Sequence, residues 1–164
     1  PVKDIKADYL QGGDFSLQSD KGEVSLSDLK GSPVILYFGF LSCPDVCPVG
    51  LATIRDALKS ESRLDTVKAL FVTLDPERDL AGAMAEYVDF FHPAITGLTG
   101  KLADIQRVAG QYGTYFKKTV VQEGSYSVDH TAYFYLVDAE GELVRVLDHN
   151  TSPEALVTEL KILL

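Results

Sequence analysis

The stretch Pro33-Val-Ile-Leu-Tyr-Phe-Gly39 is a continuous apolar run of strand length, and Phe40-Leu-Ser-Cys43-Pro-Asp-Val-Cys47-Pro-Val49 follows it directly. A run without polar alternation fits a central strand covered on both faces. Pro48 suits the first turn of a helix. Val49 to Ser60 then carries Leu51, Ile54, Ala57 and Leu58 at helical spacing. A buried strand that hands over to a helix is the building unit of a layered α/β fold.

The flanking sequence repeats this unit. Val67 to Leu74 reads as a second buried strand, Asp79 to Phe91 as a helix and Ile95 to Leu98 as a short strand. Lys101 to Tyr112 reads as a helix stopped by Gly113, and Tyr115 to Val121 as a strand. Near the start, Phe15 to Leu17 and Glu23 to Leu26 flank the turn signal Asp20-Lys-Gly22 and predict a hairpin. Ala132 to Val137 and Leu143 to Leu147 predict another around Ala139-Glu-Gly141. The last helix starts at Ser152-Pro153, with Ser as cap and Pro in the first turn. The expected architecture is one α/β domain over residues 1–164, with a central mixed sheet flanked by helices and an N-terminal β-hairpin.

Composition narrows the function classes. Of the 164 residues 46% are apolar and 24% charged, the balance of a soluble globular chain. No apolar run reaches the ~18–20 residues of a membrane-spanning helix. The net charge of −9 lacks the basic footprint that nucleic acid demands, and it suits solubility or a basic protein partner. The chain begins at Pro1, so a signal peptide or membrane anchor preceding it is compatible with the sequence.

Two cysteines, four residues apart, are the chemical centre of this sequence. A close pair is more often redox-active or metal-binding than a structural staple. Cys47 falls at or just before a helix N-terminus, where unpaired N–H groups and the macrodipole favour an anion, here the thiolate. At i and i+4 in a helical turn the two side chains share a face, with Cβ atoms roughly 5–6 Å apart. Two sulfurs so placed can hold one metal or, with modest adjustment, meet as a disulfide. The plainer alternative is a pair of buried cysteines packed as small hydrophobes.

Two ligands rarely complete a metal site. His92 ends a helix before Pro93, and His149 lies in a polar connection, both ordinary surface settings. His130, in Ser127-Val-Asp-His130-Thr-Ala, leads into an apolar strand and can face the Cys segment across the sheet end, a satisfied structural histidine being the plainer alternative. Two thiolates and one imidazole form a soft set that selects copper(I) or zinc. Three ligands without a fourth do not match a closed structural zinc site. They suit three-coordinate copper(I), or copper(II) with an added oxygen donor. Asp75, in Thr73-Leu-Asp-Pro-Glu-Arg-Asp79, is either an outer partner of the site or a turn-initiating Asp before Pro.

Cys43-Pro-Asp-Val-Cys47-Pro, Thr73-Leu-Asp-Pro-Glu-Arg-Asp79 and Val128-Asp-His130-Thr-Ala, in this order, resemble the Sco/SenC family of copper chaperones. The resemblance runs from the Phe15 hairpin to the last helix. It implies a thioredoxin-like fold, Cys43, Cys47 and His130 as copper ligands, and service to the CuA centre on subunit II of cytochrome c oxidase. That service is copper delivery, reduction of the CuA cysteines, or both, with other copper chaperones as further partners. It also implies a monomer anchored by an N-terminal membrane helix, facing the bacterial periplasm or, less expectedly, the mitochondrial intermembrane space. Thioredoxins themselves use a two-residue gap between cysteines and a cis-proline facing them. This chain has a three-residue gap and His130-Thr131 where that proline is expected, which favours copper over general disulfide exchange.

Two other classes compete. A thiol–disulfide oxidoreductase would use the same Cys pair, and so would a redox or copper sensor. A peroxidase of this broad fold fits poorly. There is no Trp, and the Pro-x-x-x-Thr-x-x-Cys arrangement is absent, with Leu36 and Phe40 at the positions concerned.

Overall fold

The structure, a computed structural model, describes residues 12–42, 46–122, 125–130 and 132–164, with backbone alone for residues 46, 119–122 and 125–130. The elements in chain order are β1 (Ser16–Ser19), β2 (Gly22–Ser25), β3 (Val34–Gly39), α1 (Val46–Ser60), β4 (Lys68–Thr73), α2 (Ala81–Asp89), β5 (Ile95–Leu98), α3 (Leu102–Gln111), β6 (Phe116–Gln122), β7 (Ser125–His130), β8 (Phe134–Val137), β9 (Leu143–Leu147) and α4 (Pro153–Ile162). Ser152 caps α4, its hydroxyl accepting the Ala155 N–H at 3.1 Å.

The central sheet has the order β5-β4-β3-β8-β9. β3 pairs in parallel with β4, and β4 with β5, while β8 runs antiparallel to β3 and β9 antiparallel to β8. The expected mixed sheet is therefore present. β3 is buried at all six positions, as its uninterrupted apolar sequence requires. Alternate β3 residues feed two cores. Tyr37 stacks between Phe71 and Phe134 on one face, with centroids 6.2 and 5.1 Å away. Phe38 meets Tyr112 and Tyr135 on the other. α1 and α2 reach the Tyr37 face through Gly50 and Tyr87, and the Tyr112 that caps α3 lies on the Phe38 face. The N-terminal hairpin β1–β2 docks beside β5 through paired backbone bonds between Gln18 and Thr99, both 2.8 Å.

Two expectations need correction. β7 was not anticipated, and His130 does not lead straight into a core strand. It ends β7, which pairs with β6 in a separate two-stranded ribbon, Phe116 opposite His130. The polar run Phe116-Lys-Lys-Thr pairs with Ser127-Val-Asp-His130, and neither has the continuous apolar sequence of a doubly covered strand. Such segments pair with each other and stay out of the central sheet. The second correction concerns α1. It begins at Val46, three residues before the Val49 read from the sequence, and Cys47 lies in its first turn, at the helix N-terminus as expected.

Candidate metal centre

The C-terminal ends of parallel strands are where open α/β sheets build sites. Here the chain leaves β3 at Gly39 and enters α1 at Val46, and it leaves β4 at Thr73 for the turn that leads to α2. β8 is antiparallel to β3, so its start at Phe134 lies at this same edge, four residues after the His130 backbone.

Cys47 is fully buried, with 0% of its surface exposed. Gly39 is the reason. A β-carbon added there would stand 2.5 Å from Cys47 Sγ and 2.8 Å from Phe71 Cε1, so only a hydrogen leaves room for the sulfur. One turn on, a β-carbon at Gly50 would collide with the Tyr37 hydroxyl. Two glycines thus let the start of α1 approach β3 closely and seat the thiol against the strand end. Cys43 lies outside the described residues, as does Thr131, and His130 is described by its backbone alone. Among the described residues no three His, Cys, Asp or Glu side chains group as a metal site.

Asp75 is 4% exposed. Its carboxylate pairs with the Arg78 guanidinium, and its backbone carbonyl accepts the N–H groups of Arg78 and Asp79 at 3.2 and 2.9 Å. That is the turn-forming role weighed for it in the sequence. Sequence reasoning missed Asp79, four residues on and 3% exposed. Its Oδ2 accepts the Leu41 N–H at 3.0 Å and the Thr73 hydroxyl at 2.7 Å. Burial, with the nearby Asp75 carboxylate, pushes its carboxyl above the ordinary carboxylate range against the lowering pull of those hydrogen bonds and of Arg78. The available signal was a second Asp in the Thr73–Asp79 segment, with a short side chain suited to backbone bonding.

Beside this edge a cleft of about 370 Å³ opens between the turn after β4, α3 and β6. Leu74, Asp75, Leu102 and Phe116 line it. Glu77 and Lys118, 3.4 Å apart, link the turn to the ribbon that ends in His130.

The family described as SCO1/SenC matches residues 3–164. The chain belongs to the SCO1/SenC family. SCO1 homolog 1 of Arabidopsis thaliana, a mitochondrial protein, is 41% identical over 149 residues, covering 88% of this chain and 44% of that protein. The chain thus spans less than half the length of that relative, and 57% of Schizosaccharomyces pombe Sco1. Among solved structures, Bradyrhizobium japonicum ScoI with copper bound superposes with a TM-score of 0.85 at 39% identity, over 93% of this chain and 99% of that one. Apo Sco1 of Thermus thermophilus superposes with a TM-score of 0.89 at 32% identity, over 100% and 98%. The thioredoxin-like architecture implied by the sequence resemblance is that of these SCO1/SenC structures.

The other two histidines of this SCO1/SenC chain are engaged elsewhere. His92 sits at the opposite end of the sheet, in a depression with Lys68 and Ala94 at the starts of β4 and β5. Its Nδ1 accepts the Ala94 N–H at 3.0 Å. His149 follows β9, two strands from β3, with Nδ1 3.3 Å from the Asp148 carboxylate. Burial, then Lys59, lowers the pKa of His92 against a smaller opposing pull from Asp65. A histidine depressed in the native state contributes stability that is present above its unfolded pKa, ~6.5, and is lost as pH falls through the native value. Urea midpoints are therefore expected to fall between pH 7 and pH 5 by less in His92→Gln than in wild type. Equal falls in both would exclude His92 as a source of the acid sensitivity.

Proposed function

We propose that this chain is a copper chaperone that takes its cargo on Cys43, Cys47 and His130. The reading rests on the seating of Cys47 in the first turn of α1, at the sheet edge where β8 begins, four residues after His130. Family membership supports it, as do the copper-bound structures of the similar ScoI of B. japonicum and yeast Sco1. The soft donor set suits copper. Residues 1–164 form the copper-binding domain, and a preceding anchor holds it at the periplasmic side of a bacterial inner membrane. The acceptor is the CuA centre on subunit II of cytochrome c oxidase.

The residues divide the work. Cys47, rigidly packed against Gly39, is the fixed donor. Cys43 lies on the segment between β3 and α1 and is the donor an acceptor thiol meets first. His130 contributes a neutral imidazole, held less tightly than the thiolates and therefore the first to leave. Transfer proceeds by stepwise ligand exchange, each acceptor donor replacing one of these three, so copper is never released to water.

Anaerobic titration with copper(I), and separately with copper(II), tests the reading. One equivalent is expected to bind, copper(II) giving a thiolate-to-copper charge-transfer band. Mixing the loaded chain with an apo CuA fragment should move that equivalent across. A chain that binds no copper ends the proposal. Reduction of an oxidised CuA fragment that is indifferent to His130→Ala, without copper transfer, would replace delivery by thiol reduction.

A further inference from the structure

The parallel ladder between β3 and β4 ends at Gly39 and Thr73. The Leu74 N–H still reaches the Gly39 carbonyl at 2.7 Å, and beyond it the two chains diverge. Leu41 is the second residue past the strand and two residues before Cys43. Its N–H is met by a side chain, the Asp79 Oδ2 at 3.0 Å, across 38 residues of sequence. The same oxygen accepts the Thr73 hydroxyl at 2.7 Å, and the Thr73 oxygen in turn accepts the Asp75 N–H at 2.9 Å. Thr73 is completely buried. One carboxylate oxygen therefore extends the ladder by a rung and ties the Cys-bearing segment to the end of β4.

We propose that Asp79, oriented by Thr73, is a positioning residue that fixes the backbone from which Cys43 is presented to copper. This rests on the copper reading above. The chemistry explains the choice of residue. A buried carboxylate is costly to desolvate, and its raised pKa reflects that cost, so packing alone would favour an apolar side chain. What the carboxylate supplies is a strong, directional acceptor for a backbone N–H where no strand continues. Two donors on one oxygen also fix its orientation, so Leu41 is held at one point in space.

The test uses the full chain and its Asp79→Ala, Asp79→Asn, Thr73→Val and Val88→Ala variants. Copper(I) affinity is measured by chelator competition, the copper(II) charge-transfer spectrum is recorded, and the thermal midpoint of each apo form is determined. Asp79→Ala is expected to lose about tenfold or more in affinity, the usual effect of removing an outer partner of a metal site, with a shifted spectrum. Asp79→Asn retains an oxygen acceptor for Leu41 and is expected to recover most of that loss. Thr73→Val should fall between them. Val88→Ala, a buried cavity on α2, lowers the midpoint without changing affinity or spectrum. Should Asp79→Ala fail to fold, Thr73→Val against Asp79→Asn makes the same comparison. Wild-type affinity and spectrum in Asp79→Ala and Thr73→Val would overturn the proposal, as would an equal affinity loss in Val88→Ala. A wild type that binds no copper removes the copper reading first, so the two failures are distinct.

Discussion

Cys47→Ser is expected to lower copper affinity by two to three orders of magnitude. The size follows from what a ligand contributes. Metal binding by a four-ligand zinc-finger site supplies roughly 10–16 kcal/mol, or about 2.5–4 kcal/mol per donor, and each 1.4 kcal/mol is tenfold. A serine hydroxyl is a hard, protonated donor and does not replace a thiolate toward copper. Because Cys47 is fully buried, the substitution also places a hydroxyl against Gly39 and Phe71, at a cost of about 1–3 kcal/mol if it finds no partner. Cys47→Ala avoids that second effect and should lose copper equally while melting closer to wild type. Copper itself supplies an independent readout. A ligand at 100 times its dissociation constant stabilises the native state by about 2.7 kcal/mol. Wild type should therefore melt higher with copper, and both variants should melt unchanged. Competition titration and thermal scans of the three proteins decide it, and undiminished affinity in both variants would remove Cys47 from the site.

Most of the fold could be read from local pattern, and most of what could not is non-local. The doubly covered strands announced themselves as uninterrupted apolar runs, and the β3 and β4 boundaries came out within a residue of those runs. Ser152 and Pro153 marked the start of α4 because capping chemistry involves neighbours in sequence. The ribbon was harder. Whether the Phe116 strand joins the central sheet or pairs outside it depends on a partner, and β7 is polar enough to resemble a connection. The site followed the same rule. The four-residue Cys spacing is local and was legible. The burial of Cys47 depends on Gly39, eight residues away and on another element, so no local pattern announces it. Asp79 bonds a backbone group, and a backbone N–H carries no sequence signature. His130 was identified through the company it keeps with the cysteines and the family pattern, since a histidine in a polar stretch has many uses.

Gly39→Ala is expected to damage both the fold and the site. Gly39 is not among the glycines with positive φ, so the demand is for space and not for backbone freedom. Carbon contacts are most favourable at about 3.5–4.0 Å. The added carbon would stand 2.5 Å from Cys47 Sγ and 2.8 Å from the Phe71 ring. One neighbour must move by about an ångström. Neither moves freely, since both are fully buried and Phe71 is stacked on Tyr37, whose hydroxyl abuts Gly50 on α1. Overpacking of this kind costs about 1–3 kcal/mol, which for a chain of this size lowers the melting temperature by about 2–4 °C per kcal/mol. If α1 is what shifts, the fixed donor shifts with it, and copper affinity falls although no ligand has been changed. A double-mutant cycle separates the causes. On a Cys47→Ala background the sulfur is gone, and Gly39→Ala should cost measurably less than it does in wild type. The same penalty on both backgrounds would mean that Phe71 alone resists the methyl group. The closeness of β3 to α1 would then serve the core, and the seating of the thiol would need another explanation.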